Sequence, residues 1–160
     1  MCAQIRALEK WYDAGWHWRT DMSGIFGPKK KSEKPKILIV EDEPDIVQTV
    51  RDRLEMYEYR VLSAGNGKEG LEKAIAEQPD IVLLDVNMPV MDGFAMLEAL
   101  RKRPEGAELT VMMMTVRDQK DDVARAEACG VEDYVAKPFE LGELVDKIEK
   151  ALERRKAGVK

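Results

Sequence analysis

The stretch Ile81-Val82-Leu83-Leu84-Asp85-Val86-Asn87-Met88-Pro89-Val90-Met91-Asp92-Gly93 joins a continuous apolar run to a carboxylate, and then to a loop punctuated by Pro89 and Gly93. An apolar run of this kind, without polar alternation, is what a strand buried on both faces requires, as in a parallel sheet covered by helices. Asp85 then stands at the carboxyl end of a strand, the edge of an open α/β sheet where ligands bind. Three further runs end in the same manner. Ile37-Leu38-Ile39-Val40 leads into Glu41-Asp42-Glu43, Val111 to Met114 ends in Thr115, and Val131 to Ala136 ends in Lys137-Pro138. Carboxylates, a hydroxyl and an ammonium are thereby offered to one surface, a combination suited to a phosphoryl group and a divalent cation.

Working outward, strands are expected over 36–40, 59–63, 80–84, 109–115 and 131–135. Between them Ile46, Val47, Val50 and Leu54 fall on one helical face, Leu71, Ala74 and Ile75 mark a second helix ending before Pro79, and Phe94, Leu97 and Leu100 a third closed by Pro104. The last helix is the clearest, with Leu141, Leu144, Val145, Ile148 and Leu152 at helical spacing. Strands alternating with helices imply right-handed βαβ units: an α/β three-layer sandwich, one five-stranded parallel sheet with helices on both faces. Met112-Met113-Met114 reads as strand core, and Cys129 as a small residue at a helix end.

The chain has 160 residues, the size of one domain. No apolar run approaches the ~18 residues of a membrane span, and charges at Arg6, Glu9, Lys10 and Asp13 interrupt any signal core. Cys2 and Cys129 lack metal-type spacing and read as reduced thiols of a cytoplasmic protein. Net charge is −5, unevenly placed: residues 1–35 carry seven Lys/Arg and four Asp/Glu, a net of +3, and the remainder a net of −8. An acidic main domain argues against direct nucleic-acid binding, which depends on neutralising phosphates. Residues 1–35 read as an N-terminal extension, aromatic-rich at Trp11, Tyr12, Trp16, Trp18 and Phe26, running into the Lys/Pro linker 27–35. Met22 is an alternative natural start. His17, the chain's single histidine, is not a ligand candidate on its own.

Each motif has a plainer reading in isolation. Glu41 to Asp45 suits a helix N-terminus, where acidic groups favour the macrodipole and Pro44 the first turn. A Thr ending a strand is commonly structural, and Lys-Pro in a loop says nothing alone. The weight lies in four such elements on four strand ends.

Together these residues resemble a known family. Ile-Leu-Ile-Val-Glu41-Asp42-Glu, Leu-Leu-Asp85-Val-Asn-Met-Pro-Val-Met-Asp-Gly93, Met-Met-Thr115 and Tyr134-Val-Ala-Lys137-Pro138-Phe139 are similar to the motifs of the receiver domain of two-component response regulators, over residues 36–155. Residues 156–160 form a tail. The resemblance implies a flavodoxin-like sheet in the order 2-1-3-4-5. It implies Asp85 as phosphoacceptor from a histidine kinase or histidine phosphotransfer protein. Mg2+ would be held by Asp42, Asp85 and the Asn87 backbone carbonyl, with Glu41 acting through water. Lys137 would contact the phosphoryl group, with a cis bond to Pro138. Thr115 and Tyr134 would form the switch pair that reshapes a protein-docking face on the fourth helix, fifth strand and fifth helix. The catalysis implied is of the chain's own phosphorylation and dephosphorylation only, in a monomer or weak dimer. Val116 departs from the small residue, commonly Ala, that usually follows the switch Thr, and slower self-dephosphorylation or weaker labelling than in Val116→Ala is expected. Because the sequence ends at Lys160, just past the last amphipathic helix, a stand-alone receiver is expected. The alternative is a constitutive interaction module of the same fold that ignores phosphate; a small metal hydrolase lacks an evident second nucleophile or substrate pocket.

Overall fold

The computed structural model describes residues 34–116, 125 and 129–158. The aromatic N-terminal segment and Met22 lie outside the described residues, as does most of the segment 117–128.

Five strands, β1 (Lys36–Val40), β2 (Arg60–Ala64), β3 (Ile81–Asp85), β4 (Thr110–Val116) and β5 (Asp133–Lys137), form one sheet in the order β2-β1-β3-β4-β5. Every pairing is parallel. The described helices are α1 (Pro44–Met56), α2 (Gly67–Glu77), α3 (Gly93–Arg101) and the C-terminal helix α4 (Leu141–Ala157). Four of the five strands lie within a residue of their expected bounds. β5 begins two residues late: Val131 packs against the core from the connection preceding the strand, the Glu132 N–H donates to the Val111 carbonyl at 2.9 Å, and the paired register with β4 starts at Asp133. Lys137 is consequently the last residue of β5, where the expected strand ended two residues before it.

Strand alternation explains the three layers, because successive side chains point to opposite faces. Leu38, Val40, Val82, Leu84, Val111 and Met113 face α2 and α3, packing with Ala74, Phe94, Met96, Leu97 and Leu100. Ile37, Ile39, Ile81, Leu83, Met112 and Met114 face the other way, packing with Val50 and Leu54 of α1 and Leu144, Val145 and Ile148 of α4. Met112, Met113 and Met114 are all buried, so the methionine run is strand core.

Helix ends follow local chemistry. Asn66 and Asp92 cap α2 and α3, their side-chain oxygens accepting the N–H of Glu69 at 3.0 Å and of Ala95 at 2.8 Å. Such caps satisfy N–H groups that have no partner within the helix. Pro44 opens α1, where the missing N–H costs nothing, and Gly158 in the left-handed region ends α4. Among the described residues no helix is long and apolar enough to cross a membrane.

Candidate functional site

Parallel strands deliver their carboxyl ends to one edge, and there β1, β3, β4 and β5 present the candidate residues. The Glu41 N–H donates to the Ala64 carbonyl at 3.0 Å and the Val86 N–H to that of Met114 at 3.1 Å, continuing the sheet bonding one residue past β1 and β3. Glu41 and Asp85 are therefore fixed where the apolar layers end, with only 1% and 4% of their surface exposed. Asp42, one residue on, is exposed. Carboxylate oxygens of Glu41, Asp42 and Asp85 all lie within 4.8 Å of one another.

Lys137 joins this group from the far strand. Its Nζ lies 2.6 Å from Glu41 Oε2 and 2.7 Å from Asp85 Oδ1. The other oxygen of each buried carboxylate accepts a backbone N–H: Glu41 Oε1 from Glu43 at 3.3 Å, and Asp85 Oδ2 from Asn87 at 3.0 Å. Burial raises the Glu41 pKa above its ordinary value, and the nearby Asp85 charge adds to that, outweighing the pull of Lys137. For Lys137, burial works against the charged form, but the bonds to Asp85 and Glu41 prevail and hold its pKa above the ordinary lysine value. One ammonium thus faces three acidic groups, and with all of them ionised two negative charges remain unbalanced. Hard oxygen donors with that residual charge fit a divalent cation that keeps several of its own waters.

Thr115, next to last on β4, is 4% exposed and pairs with Ala136. Tyr134 pairs with Met113, two residues back along both strands, so Thr115 and Tyr134 share one face of the sheet. The Tyr134 ring is 42% exposed, with Lys147 Nζ 5.7 Å from its centre. Lys147 in turn pairs with Asp133 at 2.9 Å. The Lys137–Pro138 peptide bond is cis. The Val116 side chain lies outside the described residues; its backbone pairs with Lys137.

The loop carrying Asp85 is held by contacts that spacing does not disclose. The Gly93 N–H donates to the Val86 carbonyl at 2.9 Å, and a Cβ at Gly93 would stand 2.2 Å from the Asp85 carbonyl oxygen. Gly93 permits the backbone to close on Asp85 itself. The Gly67 N–H donates to the Met91 carbonyl at 3.2 Å, bracing the loop on the start of α2. The only foreshadowing in the sequence is the pair of glycines at the two helix starts.

Residues 37–149 match the model of the response regulator receiver domain. The chain belongs to that family. The receiver is similar to the transcriptional regulatory protein PrrA of Mycobacterium tuberculosis, 35% identical over 121 residues that cover 76% of this chain and 51% of that protein. It is also similar to the DNA-binding dual master transcriptional regulator RpaA of Synechocystis, 36% identical over 75% of this chain and 50% of that one. The chain spans about half the length of these curated relatives. Among solved structures, the chemotaxis protein CheY4 of Vibrio cholerae superposes with a TM-score of 0.70 at 30% identity, over 74% of this chain and 98% of that one. The receiver domain of the sensor histidine kinase PA1611 of Pseudomonas aeruginosa, solved with a magnesium ion in its active-site cleft, gives a TM-score of 0.69 at 27% identity, over 75% and 98%. The CheY-like likeness agrees with the expected flavodoxin-like sheet order.

Proposed function

We propose that this receiver accepts a phosphoryl group on Asp85 from a histidine kinase or a histidine phosphotransfer protein and uses the modification to change a protein-docking face. The observation that carries this reading is the Lys137 ammonium held between the buried carboxylates of Glu41 and Asp85. A lysine that merely neutralised a buried acid would need one partner. This one spans the acceptor and the neighbouring acidic group at the mouth of a cluster that suits a cation.

In the proposed reaction an Asp85 carboxylate oxygen attacks the phosphorus of a phosphohistidine. The P–O bond forms as the P–N bond breaks, and the departing imidazole keeps the electron pair and takes a proton from solvent. Phosphoryl transfer asks mainly for positioning and stabilisation of charge on the equatorial oxygens. The Asn87 N–H orients the Asp85 carboxylate, Lys137 follows the new charge, and the Thr115 hydroxyl donates to a phosphoryl oxygen. Held by Asp42, Asp85 and the Asn87 carbonyl, with Glu41 reached through water, Mg2+ would supply further positive charge and relieve repulsion among the carboxylates. Water then attacks the phosphorus, the P–O bond to Asp85 breaks, and inorganic phosphate leaves as Asp85 returns to its carboxylate, so the chemistry is confined to the chain's own side chain.

The readout rests on a population shift: phosphorylation must make contacts that differ between two states. Thr115 and Tyr134 suit this role, since they share a sheet face, with Thr115 buried and Tyr134 reaching solvent. The docking face for a downstream protein then centres on β5 and α4 around Tyr134.

Incubation with acetyl phosphate and Mg2+, read by intact mass, tests the reading. Wild type gains one phosphoryl group and Asp85→Asn gains none. Absence of a gain with every donor tried overturns the proposal in favour of a phosphate-independent interaction module.

A further inference from the structure

Val90 is the residue of the acceptor loop least explained by the fold. It is 83% exposed, the most exposed large hydrophobic side chain among the described residues. Its φ is +71°, in the left-handed region, and the Met91 N–H donates to the Pro89 carbonyl at 2.8 Å across it. A hydrogen bond between residues two apart around a positive φ is a γ-turn of the rare, strained kind. For a β-branched residue this backbone is a true outlier, whereas glycine would occupy it freely.

The strain is imposed from both sides. Met88 is buried before the turn, and the Met91 carbonyl is tied to Gly67 after it. The Val90 side chain gains almost no burial in return. A single exposed valine is ordinary on a protein surface; one kept in the left-handed region where glycine would be easier is not. The benefit of that side chain therefore lies outside the chain.

Position indicates with what. Val90 follows Asp85 by five residues, so it stands within about 17 Å even were the loop fully extended. The Asp85 side chain is only 5% exposed. A protein that brings a phosphohistidine to it must press against the rim of this loop, where Asn87, Pro89 and Val90 are exposed. A small acyl phosphate need not.

Resting on the phosphoacceptor reading, we propose that Val90 is a specificity contact for the phosphohistidine protein, offering it a pre-set apolar knob beside the acceptor. The test compares wild type, Val90→Gly and Val90→Ile with two donors. One donor is acetyl phosphate. The other is whichever phosphorylated kinase or phosphotransfer domain of the source organism labels wild type fastest. Val90→Gly is expected to keep its acetyl phosphate rate within twofold, to lose about tenfold in transfer from the protein donor, and to unfold at no lower a temperature than wild type. Val90→Ile is expected to restore transfer. Equal loss with both donors overturns the proposal, because Val90 would then act through loop geometry. No loss with the protein donor overturns it also, as does labelling by acetyl phosphate with no protein donor found. Failure of wild type to be labelled by anything instead removes the underlying phosphoacceptor reading.

Discussion

Lys137 Nζ meets Glu41 Oε2 at 2.6 Å across 96 positions of chain, while the same ammonium holds Asp85 Oδ1 at 2.7 Å. The contact ties β5 to β1 across two intervening strands, so the order of the sheet is what makes it possible. Removing the cation strands two buried carboxylates. Lys137→Met is expected to lose about 3–5 kcal/mol of stability in urea without divalent cation, the usual consequence of breaking a buried pair from one side. Added Mg2+ should recover part of that loss and stabilise the variant more than wild type. An unchanged urea midpoint would show that the bridge is not a structural element.

Glu41 responds to pH in the opposite sense to an ordinary paired carboxylate. Its pKa is raised by burial above the unfolded value of 4.5. The folded chain therefore holds that proton more tightly than the unfolded one. This favours folding below pH 4.5, and the advantage is lost as pH rises through the folded value. At neutral pH the ionised group opposes folding, and Glu41→Gln should melt at a higher temperature than wild type in the absence of Mg2+. Scanning calorimetry from pH 7.5 downward should show the gap closing on the acid side. A gap that widens there would contradict the assigned direction.

Gly93→Ala should be among the most damaging single-methyl additions in the chain. The new Cβ would stand 2.2 Å from the Asp85 carbonyl oxygen and 3.1 Å from Val86 Cα, both rigid backbone. Overpacking of this type costs about 1–3 kcal/mol and here also displaces Asp85. The expected result is a lower urea midpoint together with slower acetyl phosphate labelling of the molecules that remain folded. Gly142→Ala, within α4 and with nothing inside 4 Å of the added carbon, is the control and should leave labelling unchanged and the midpoint no lower, since alanine favours the helix over glycine.

The parallel sheet with helices on both faces and the gathering of strand ends were legible because apolar runs buried on both faces stop abruptly at polar residues, whereas the strand order came only with the family resemblance. Leu84 into Asp85, Val40 into Glu41 and Met114 into Thr115 mark the edge without ambiguity. Less was visible at β5, where Val131 begins the apolar run although its backbone still lies ahead of the strand. Invisible altogether were contacts that require three dimensions: Lys137 shared by Glu41 and Asp85, Gly93 against the Asp85 carbonyl, and the γ-turn at Val90. The Arg101 guanidinium is a further case, donating to the carbonyls of Gly106, Leu109, Cys129 and Gly130 and so pinning the end of α3 to the turns before β4 and β5. Its desolvation lowers an arginine pKa that charge counting along the chain treats as fixed.

Met113→Ala separates scaffold from site. Met113 lies in the layer under α2 and α3, 1% exposed, and its truncation should cost about 2–5 kcal/mol. Labelling per folded molecule should stay within about twofold of wild type, since no candidate site residue is removed. A selective loss of labelling at full stability would make the methionine run functional rather than structural.

That run has one more consequence. Met112 and Met114 serve one layer and Met113 the other, and all three are at most 1% exposed, whereas Met56 is 74% exposed. Peroxide reaching a folded molecule would convert Met56 to its sulfoxide and leave the trio intact; only chains that have opened would be struck there, and each such hit would place a polar group in the interior. The thioethers of a single strand thus amount to a built-in chemical clock for opening events, with Met56 as its internal reference.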